Sequence, residues 1–399
     1  MHMVYNILFL SKFYPDALLP EFSKQTKIGL DFAAHNLSMA ICTGLKENDV
    51  AFDVLNTPQL GSFPSFYKTP FIKGYKDKNT ISVPYFNFVY FKRKSLELHV
   101  LKEMSKWCAS HDGKKIVILY NFNYVKVAKK IKAKYPDTKF CLIVTDLPEY
   151  MATKKNFFTR IIRMNNPYQK ESAAEMYSAI DGFILLAKDM KERLPIKNKP
   201  WIQIEGIYNN EVQTETVNKY NRKVIMYTGN LGVRYGIADL LEAFSHIKSQ
   251  EYELWVRGNG ELEGLVKDKA EKDGRIKYIG RLSRKDLIQM QKKATLMVNP
   301  VHSSEEFSRY FFPSKTLEYL ASGTPTLMSR LSCMPSEYNN YLFYFEDESI
   351  EGMAKKIQEI CEKPQFELDE FGSKAADFIV KHKTPKPQMR KAIEFFKQL

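Results

Sequence analysis

Short apolar runs alternate with longer amphipathic stretches along the first half of the chain, at residues 6–10, 39–42, 115–120, 140–145 and 182–186. Near-continuous runs of this length are what strands buried on both faces look like, and the stretches between them, such as 125–134, carry the stripe of a crossover helix. A polar, Pro-containing stretch at 197–222 interrupts the pattern, which resumes with an apolar run at 223–229. Beyond it the chain predicts a helix over 236–249, strands over 252–257 and 276–279, a helix over 283–294, a strand over 295–300 and a mostly helical tail from 350. Strand–helix alternation on both sides of one break predicts an α/β protein of two doubly wound, Rossmann-like domains. The boundary is expected near residue 200, giving domains at 1–200 and 201–375 with a last helical segment at 376–399.

The stretch Phe312-Pro313-Ser314-Lys315-Thr316-Leu317-Glu318-Tyr319-Leu320-Ala321-Ser322-Gly323 reads as a short helix, opened by Pro313 and stopped by Gly323. At 100° per residue Ser314, Lys315 and Glu318 share one face, while Leu317, Leu320 and Ala321 fill another. The start of a helix offers unpaired N–H groups, and Lys315 adds a full positive charge to them, which suits an anion. Glu318, one turn on, is an acceptor-only carboxylate suited to two adjacent sugar hydroxyls. Phosphate plus diol points to a nucleotide. Read alone, the same segment is equally an ordinary capped surface helix.

The segment resembles the donor-binding helix of glycosyltransferases with the GT-B fold, in particular the retaining family 4 enzymes of bacterial capsular and exopolysaccharide synthesis. The resemblance implies two Rossmann-like domains facing across a cleft, with the last helix crossing back onto the first domain. It implies that Glu318 holds the ribose of a nucleotide sugar, UDP-linked by preference, and that Ser314 and Lys315 meet its phosphates. Three glycine-bearing turns support it by their order. In Gly229-Asn230-Leu231-Gly232-Val233-Arg234 the family carries an Arg and a Lys on the diphosphate; here Asn230 stands at the first place and Arg234 near the second. Gly258, and the pair Arg281 and Leu282 after Gly280, mark the turns against which the family packs the base. One departure is plain: eight residues before Glu318, where many relatives have a second Glu, the chain has Tyr310, with Glu305 and Glu306 nearby as substitutes. The first domain matches more weakly, with Phe13-Tyr14-Pro15-Asp16 where many relatives have a Gly-Gly loop.

Asp146, at the end of the run 140–145, is either a cap before Leu147-Pro148 or a cleft carboxylate, and with Arg234 and Lys315 it completes the catalytic candidates. His302 is a candidate cleft residue or a loop residue. There is no Asp-x-Asp, so no metal and no cofactor beyond the donor is expected, and cationic side chains must meet the departing diphosphate. The formal charge of +14 attracts phosphate-bearing partners. No zinc-finger spacing or RNP-like strand accompanies it, which argues against nucleic acid. An anionic membrane surface is expected instead, with a glycan or a polyprenyl-diphosphate-linked acceptor. The basic, aromatic stretch 154–164 reads as an amphipathic helix for such a surface or as a core-facing helix, and residues 63–78 as a mobile acceptor loop. No apolar run is long enough to span a bilayer, no leader pattern opens the chain, and five scattered cysteines suggest reduced thiols, so a cytoplasmic location is expected. Two rivals stand beside the transferase: an epimerase of the same fold, which would need more cleft carboxylates and histidines, and a non-catalytic subunit that binds glycan or a partner enzyme, favoured by Tyr310.

Overall fold

The computed structural model describes residues 5–120, 122–147, 175, 177–196, 198–209, 217–280 and 282–399. The chain forms two compact units, Met1–Asn209 with Pro385–Leu399, and Asn210–Thr384. In the first, an eight-stranded sheet is built from β1 (Asn6–Ser11), β2 (Phe52–Asn56), β4 (Tyr75–Asp77), β5 (Thr80–Ser82), β7 (Lys115–Tyr120), β8 (Lys139–Val144), β9 (Gly182–Leu185) and β10 (Trp201–Gln203). Its order is β10-β9-β8-β7-β1-β2-β5-β4, parallel except for β4. A separate antiparallel pair joins β3 (Phe71–Ile72) to β6 (Tyr85–Phe86).

The described helices of this unit are α1 (Leu19–Gln25), α2 (Phe32–Glu47), α3 (Lys92–Ser110), α4 (Val125–Lys134) and α5 (Met190–Arg193), with one more contributed by the chain's last residues. Residues 39–42, expected as a strand, lie inside α2. Asp31 caps that helix by accepting from Ala33 N at 3.0 Å, and its buried Ala34, Ser38, Ile41 and Leu45 recur at helical spacing. The strand of this region is β2, whose polar Asp53 and Asn56 interrupt the apolar signal. Residues 63–78 also differ from expectation, since Tyr67 and Ile72 are buried in a small core with Tyr14, Phe22, Leu60 and Tyr85. Residues 154–164 lie outside the described residues.

The second unit holds β11 (Lys223–Thr228), β12 (Tyr252–Arg257), β13 (Ile276–Tyr278), β14 (Leu296–Asn299), β15 (Thr326–Ser329) and β16 (Phe343–Phe345), all parallel, in the order β13-β12-β11-β14-β15-β16. Its helices are α6 (Ile237–His246), α7 (Glu263–Lys272), α8 (Arg284–Lys293), α9 (Lys315–Ala321), α10 (Ile350–Cys361) and α11 (Gln365–His382). Residues of α6 and α10, with Val266 of α7, cover one face of the sheet through Leu240, Phe244, Ile357 and Ile360. Leu287 of α8 and Tyr319 of α9 cover the other. The last helix, α12 (Pro385–Phe396), belongs to the first unit, where Met389 and Phe395 pack with Ile41 and Leu45 of α2. Each such side chain buried contributes about 1.5–3 kcal/mol. A Cβ on Gly44 would collide with Pro385 O and the Met389 side chain, so glycine is what lets α2 and α12 approach.

In both sheets the strand order reverses beside the first strand, between β1 and β7 in one unit and between β11 and β14 in the other. In such sheets ligands bind beyond the carboxyl ends of the strands at this switch. Among the described residues no helix is long and apolar enough to cross a membrane.

Candidate functional site

At the switch of the second unit, β11 ends in Gly229-Asn230-Leu231-Gly232 and β12 in Gly258-Asn259-Gly260. The two turns lie against each other: Leu231 N donates to Asn259 O at 2.9 Å, and a Cβ on Gly258 would strike Gly229 O. Asn230 folds its own loop, accepting from Gly232 N on Oδ1 at 2.8 Å while its carbonyl accepts from Tyr227 OH at 2.8 Å. Gly236 has φ 73°, and a Cβ there would meet Pro300 O, so the chain enters α6 pressed against the end of β14. What remains above these strand ends is a thin backbone rim. Arg257, the last residue of β12, has a buried Nε with no hydrogen-bond partner.

Helix α9 stands beside this rim. The Tyr319 hydroxyl donates to Thr228 O at 2.7 Å and accepts from Thr228 N at 2.8 Å, tying the helix to the last residue of β11. Tyr319 and Leu320 are buried, Ser314 is exposed, and Lys315 and Glu318 are half-buried, so the polar face expected from the sequence is present. Lys315 Nζ donates to Glu318 Oε2 at 3.0 Å, and Arg284 of α8 approaches Glu318 Oε1 at 3.6 Å. Nothing in the spacing of the sequence marks Arg284, because only the packing of α8 beside α9 makes it a neighbour. Ser283 caps α8 by accepting from Asp286 N at 3.1 Å, and Leu282 precedes it half-buried. Arg281 lies outside the described residues.

Arg234 is exposed on a short turn before α6, its guanidinium 4.6 Å from the Phe307 ring centre and 5.3 Å from that of Tyr235. A cation over a ring face is held electrostatically, which joins the glycine loop to the Glu305-Glu306-Phe307 segment. Glu305 and Glu306 are both exposed. Tyr310 is 2% exposed, with Arg309 over its ring at 5.4 Å, so it fills the core of this segment. His302 is a strut: Nε2 lies 2.6 Å from Asp239 Oδ2 of α6, and Nδ1 lies 3.2 Å from Glu348 Oε2.

Asp146 belongs to the first unit, exposed on the bend after β8. Its charge and that of Asp31 reinforce the upward push that burial gives the Tyr120 phenol at the end of β7. Lys12 lies just past β1, and its place beyond a predicted strand is the signal that marks it in the sequence. It is buried, donates to Gln59 Oε1 at 3.4 Å and lies 5.8 Å from the Tyr120 ring centre. Burial lowers its ammonium pKa to about 8, Lys92 adding to the effect.

Residues 209–377 match the family described as glycosyl transferases group 1. No curated protein matches the chain. Among solved structures, the chain is similar to a glycosyltransferase from Rickettsia africae, at TM-score 0.63 and 13% identity over 99% of this chain and 98% of that one. It is similar to the trehalose-6-phosphate protein of E. coli bound with UDP-2-fluoro glucose, at TM-score 0.63 and 11% identity over 99% of both chains. It is also similar to a mutant of S. aureus TarM in complex with fondaparinux, alpha-GlcNAc-glycerol and UDP, at TM-score 0.53 and 15% identity over 80% of this chain. The chain spans 62% of the TarM length. At these identities the likeness concerns the fold, which is GT-B.

Proposed function

We propose that the chain is a retaining, metal-independent glycosyltransferase that moves a sugar from a nucleoside diphosphate sugar, preferably UDP-linked, to a glycan or lipid-linked acceptor of bacterial surface polysaccharide synthesis. The observation that carries this reading is the double hydrogen bond of Tyr319 with Thr228, at 2.7 and 2.8 Å, which sets the Ser314–Lys315–Glu318 face beside the glycine rim of β11. A rim with glycines at 229, 232, 258 and 260 lets a diphosphate approach the backbone closely, and Lys315 and Arg234 supply the charge to meet it. Glu318 takes the ribose diol, sharing its oxygens with Lys315 and Arg284. Leaving-group charge grows as the glycosidic bond to the diphosphate breaks, so a cation held there stabilises the transition state more than the bound donor. The absence of Asp-x-Asp supports giving that task to side chains. The match to glycosyl transferases group 1 over residues 209–377 supports the same assignment. Asp146 is the polar candidate on the acceptor unit, and the chain is assigned to the cytoplasmic side of the membrane.

A non-catalytic subunit is the second reading, favoured by buried Tyr310 where many relatives carry a glutamate. Calorimetry with UDP tests the first: Glu318→Ala is expected to weaken binding by about 1.5–3 kcal/mol, the scale of hydrogen bonds to charged groups. Unchanged affinity would overturn the ribose assignment. Lys315→Ala is expected to lower kcat as well as affinity, and an effect confined to KM would remove its catalytic role. UDP binding without turnover on any nucleotide sugar would favour the non-catalytic subunit.

A further inference from the structure

The chain entering α3 runs Tyr85-Phe86-Asn87-Phe88-Val89-Tyr90-Phe91-Lys92-Arg93-Lys94, and most of its apolar side chains face solvent. Phe86 is 54% exposed, Val89 56%, Tyr90 70% and Phe91 64%; Leu98, two turns along α3, is 66% exposed. This exposure is built rather than frayed. Tyr85 and Asn87 are fully buried between the exposed residues, Asn87 Nδ2 donates to Gly61 O at 2.9 Å, and Asn87 N donates to Pro70 O at 2.7 Å. Ser95 Oγ accepts from Phe86 N at 3.1 Å, fixing the turn to the first turn of α3. The ring of Phe71 sits edge-on to Phe86 at 5.4 Å and that of Phe63 to Phe88 at 5.3 Å, so the apolar surface is contiguous. Soluble proteins seldom keep such a patch without a partner.

Charge identifies the partner. Arg93 and Lys94 are exposed directly beside Phe91, and Lys68 and Lys73 are exposed on the strand-bearing segment that carries Phe71. The nearest carboxylate on α3, Glu97, is paired with Arg93 Nε at 2.8 Å. Aromatic side chains that enter the headgroup layer beside cations that stay in it are the composition of a peripheral membrane contact. We propose that the turn 86–91 with the first turns of α3 is a docking surface for an anionic lipid bilayer. The lipid-linked acceptor of the proposed function gives the docking its purpose, and the docking itself stands on exposure and charge.

The test is sedimentation of the full chain with vesicles of phosphatidylcholine, with and without phosphatidylglycerol. Binding to the anionic vesicles is expected, weakening as salt rises. The triple variant Val89→Ser, Tyr90→Ser, Phe91→Ser should bind at least roughly tenfold more weakly, with UDP affinity unchanged. The pair Arg93→Gln and Lys94→Gln should bind more weakly and with a shallower salt dependence. Tyr90→Trp, which keeps the surface apolar, should give an additional emission that shifts to the blue with anionic vesicles. Equal binding to both vesicle types, none at low salt, a triple variant that binds as the parent does, or an added indole emission that stays unshifted would each overturn the proposal. So would a lipid-free dimer that the triple variant abolishes, which would make this face an interface between copies. If Glu318→Ala leaves UDP binding intact while the vesicle results hold, the nucleotide assignment falls and the docking surface stands.

Discussion

After β1 the chain turns through Lys12-Phe13-Tyr14, and after β11 through Gly229-Asn230-Leu231-Gly232, each at the point where the strand order of its sheet reverses. In the first turn, side chains close the structure. Asn56, fully buried, accepts from Ser11 Oγ at 2.9 Å and Phe13 N at 3.0 Å, and donates to Phe13 O at 3.0 Å and Ser82 Oγ at 2.9 Å. The Tyr14 hydroxyl spans to Gln59 O at 2.8 Å, and its ring stacks on His35 at 5.5 Å. In the second turn, backbone closes on backbone, with glycines at the points of contact. A loop held by a buried amide can carry bulky walls, as Phe13 and Tyr14 do. A loop held by main-chain contacts has no room for a Cβ where the two backbones meet. Equivalent positions in two doubly wound sheets thus make a wall of side chains in one unit and a close backbone contact in the other.

Mutation can break each half of this contrast separately. The largest effect is expected from Gly258→Val, whose side chain has no room against Gly229 O: stability of the second unit should fall by about 3 kcal/mol or more in denaturant melts, with UDP binding lost in calorimetry. Asn56→Leu keeps the branched outline but orphans four buried partners, and should cost about 2–4 kcal/mol while leaving UDP affinity untouched. A loss of UDP binding in that variant would show the two units to be less independent than their cores suggest. Lys12→Met should act in the opposite direction. The unfolded lysine keeps its proton up to 10.5 and the folded one gives it up at about 8, so the folded state bears a full charging penalty below pH 8 that disappears as pH rises to 10.5. The variant is therefore expected to be more stable than the parent by about 2 kcal/mol at pH 7, at about 1.4 kcal/mol for each tenfold loss of proton affinity less the lost contact to Gln59, with the gap in Tm closing above pH 10. The smallest effect, about 1 kcal/mol, is expected from Tyr319→Phe, which removes the tie to Thr228 and should slightly weaken UDP binding as well.

Buried strands were legible where the apolar run was unbroken, as in β7, β8 and β11. Residues 39–42 were misread because a four-residue apolar run fits a strand and a buried helix equally, and only the polar cap at Asp31 favours the helix. The short strands β3 to β6 left no trace, since two or three residues are placed by the core around Tyr67 and Tyr85 rather than by their own pattern. The polar face of α9 followed from helical spacing alone. Arg284 did not, because its nearness to Glu318 depends on how two helices pack, and the burial of Lys12 depends on residues distant in sequence such as Gln59 and Tyr120.

The placement of α12 has a consequence for how this chain comes into being. Its Met389 and Phe395 complete the core over Ile41 and Leu45, so the first unit is discontinuous in sequence, and residues 210–384 lie between its two parts. Synthesis from the amino end ordinarily lets the leading domain fold first. Here the leading domain waits with an open apolar face while the whole of the second unit emerges, and its longest-range contacts close last. The interval between those events is when the nascent chain is most exposed to aggregation, and it ends only when α12 packs onto α2.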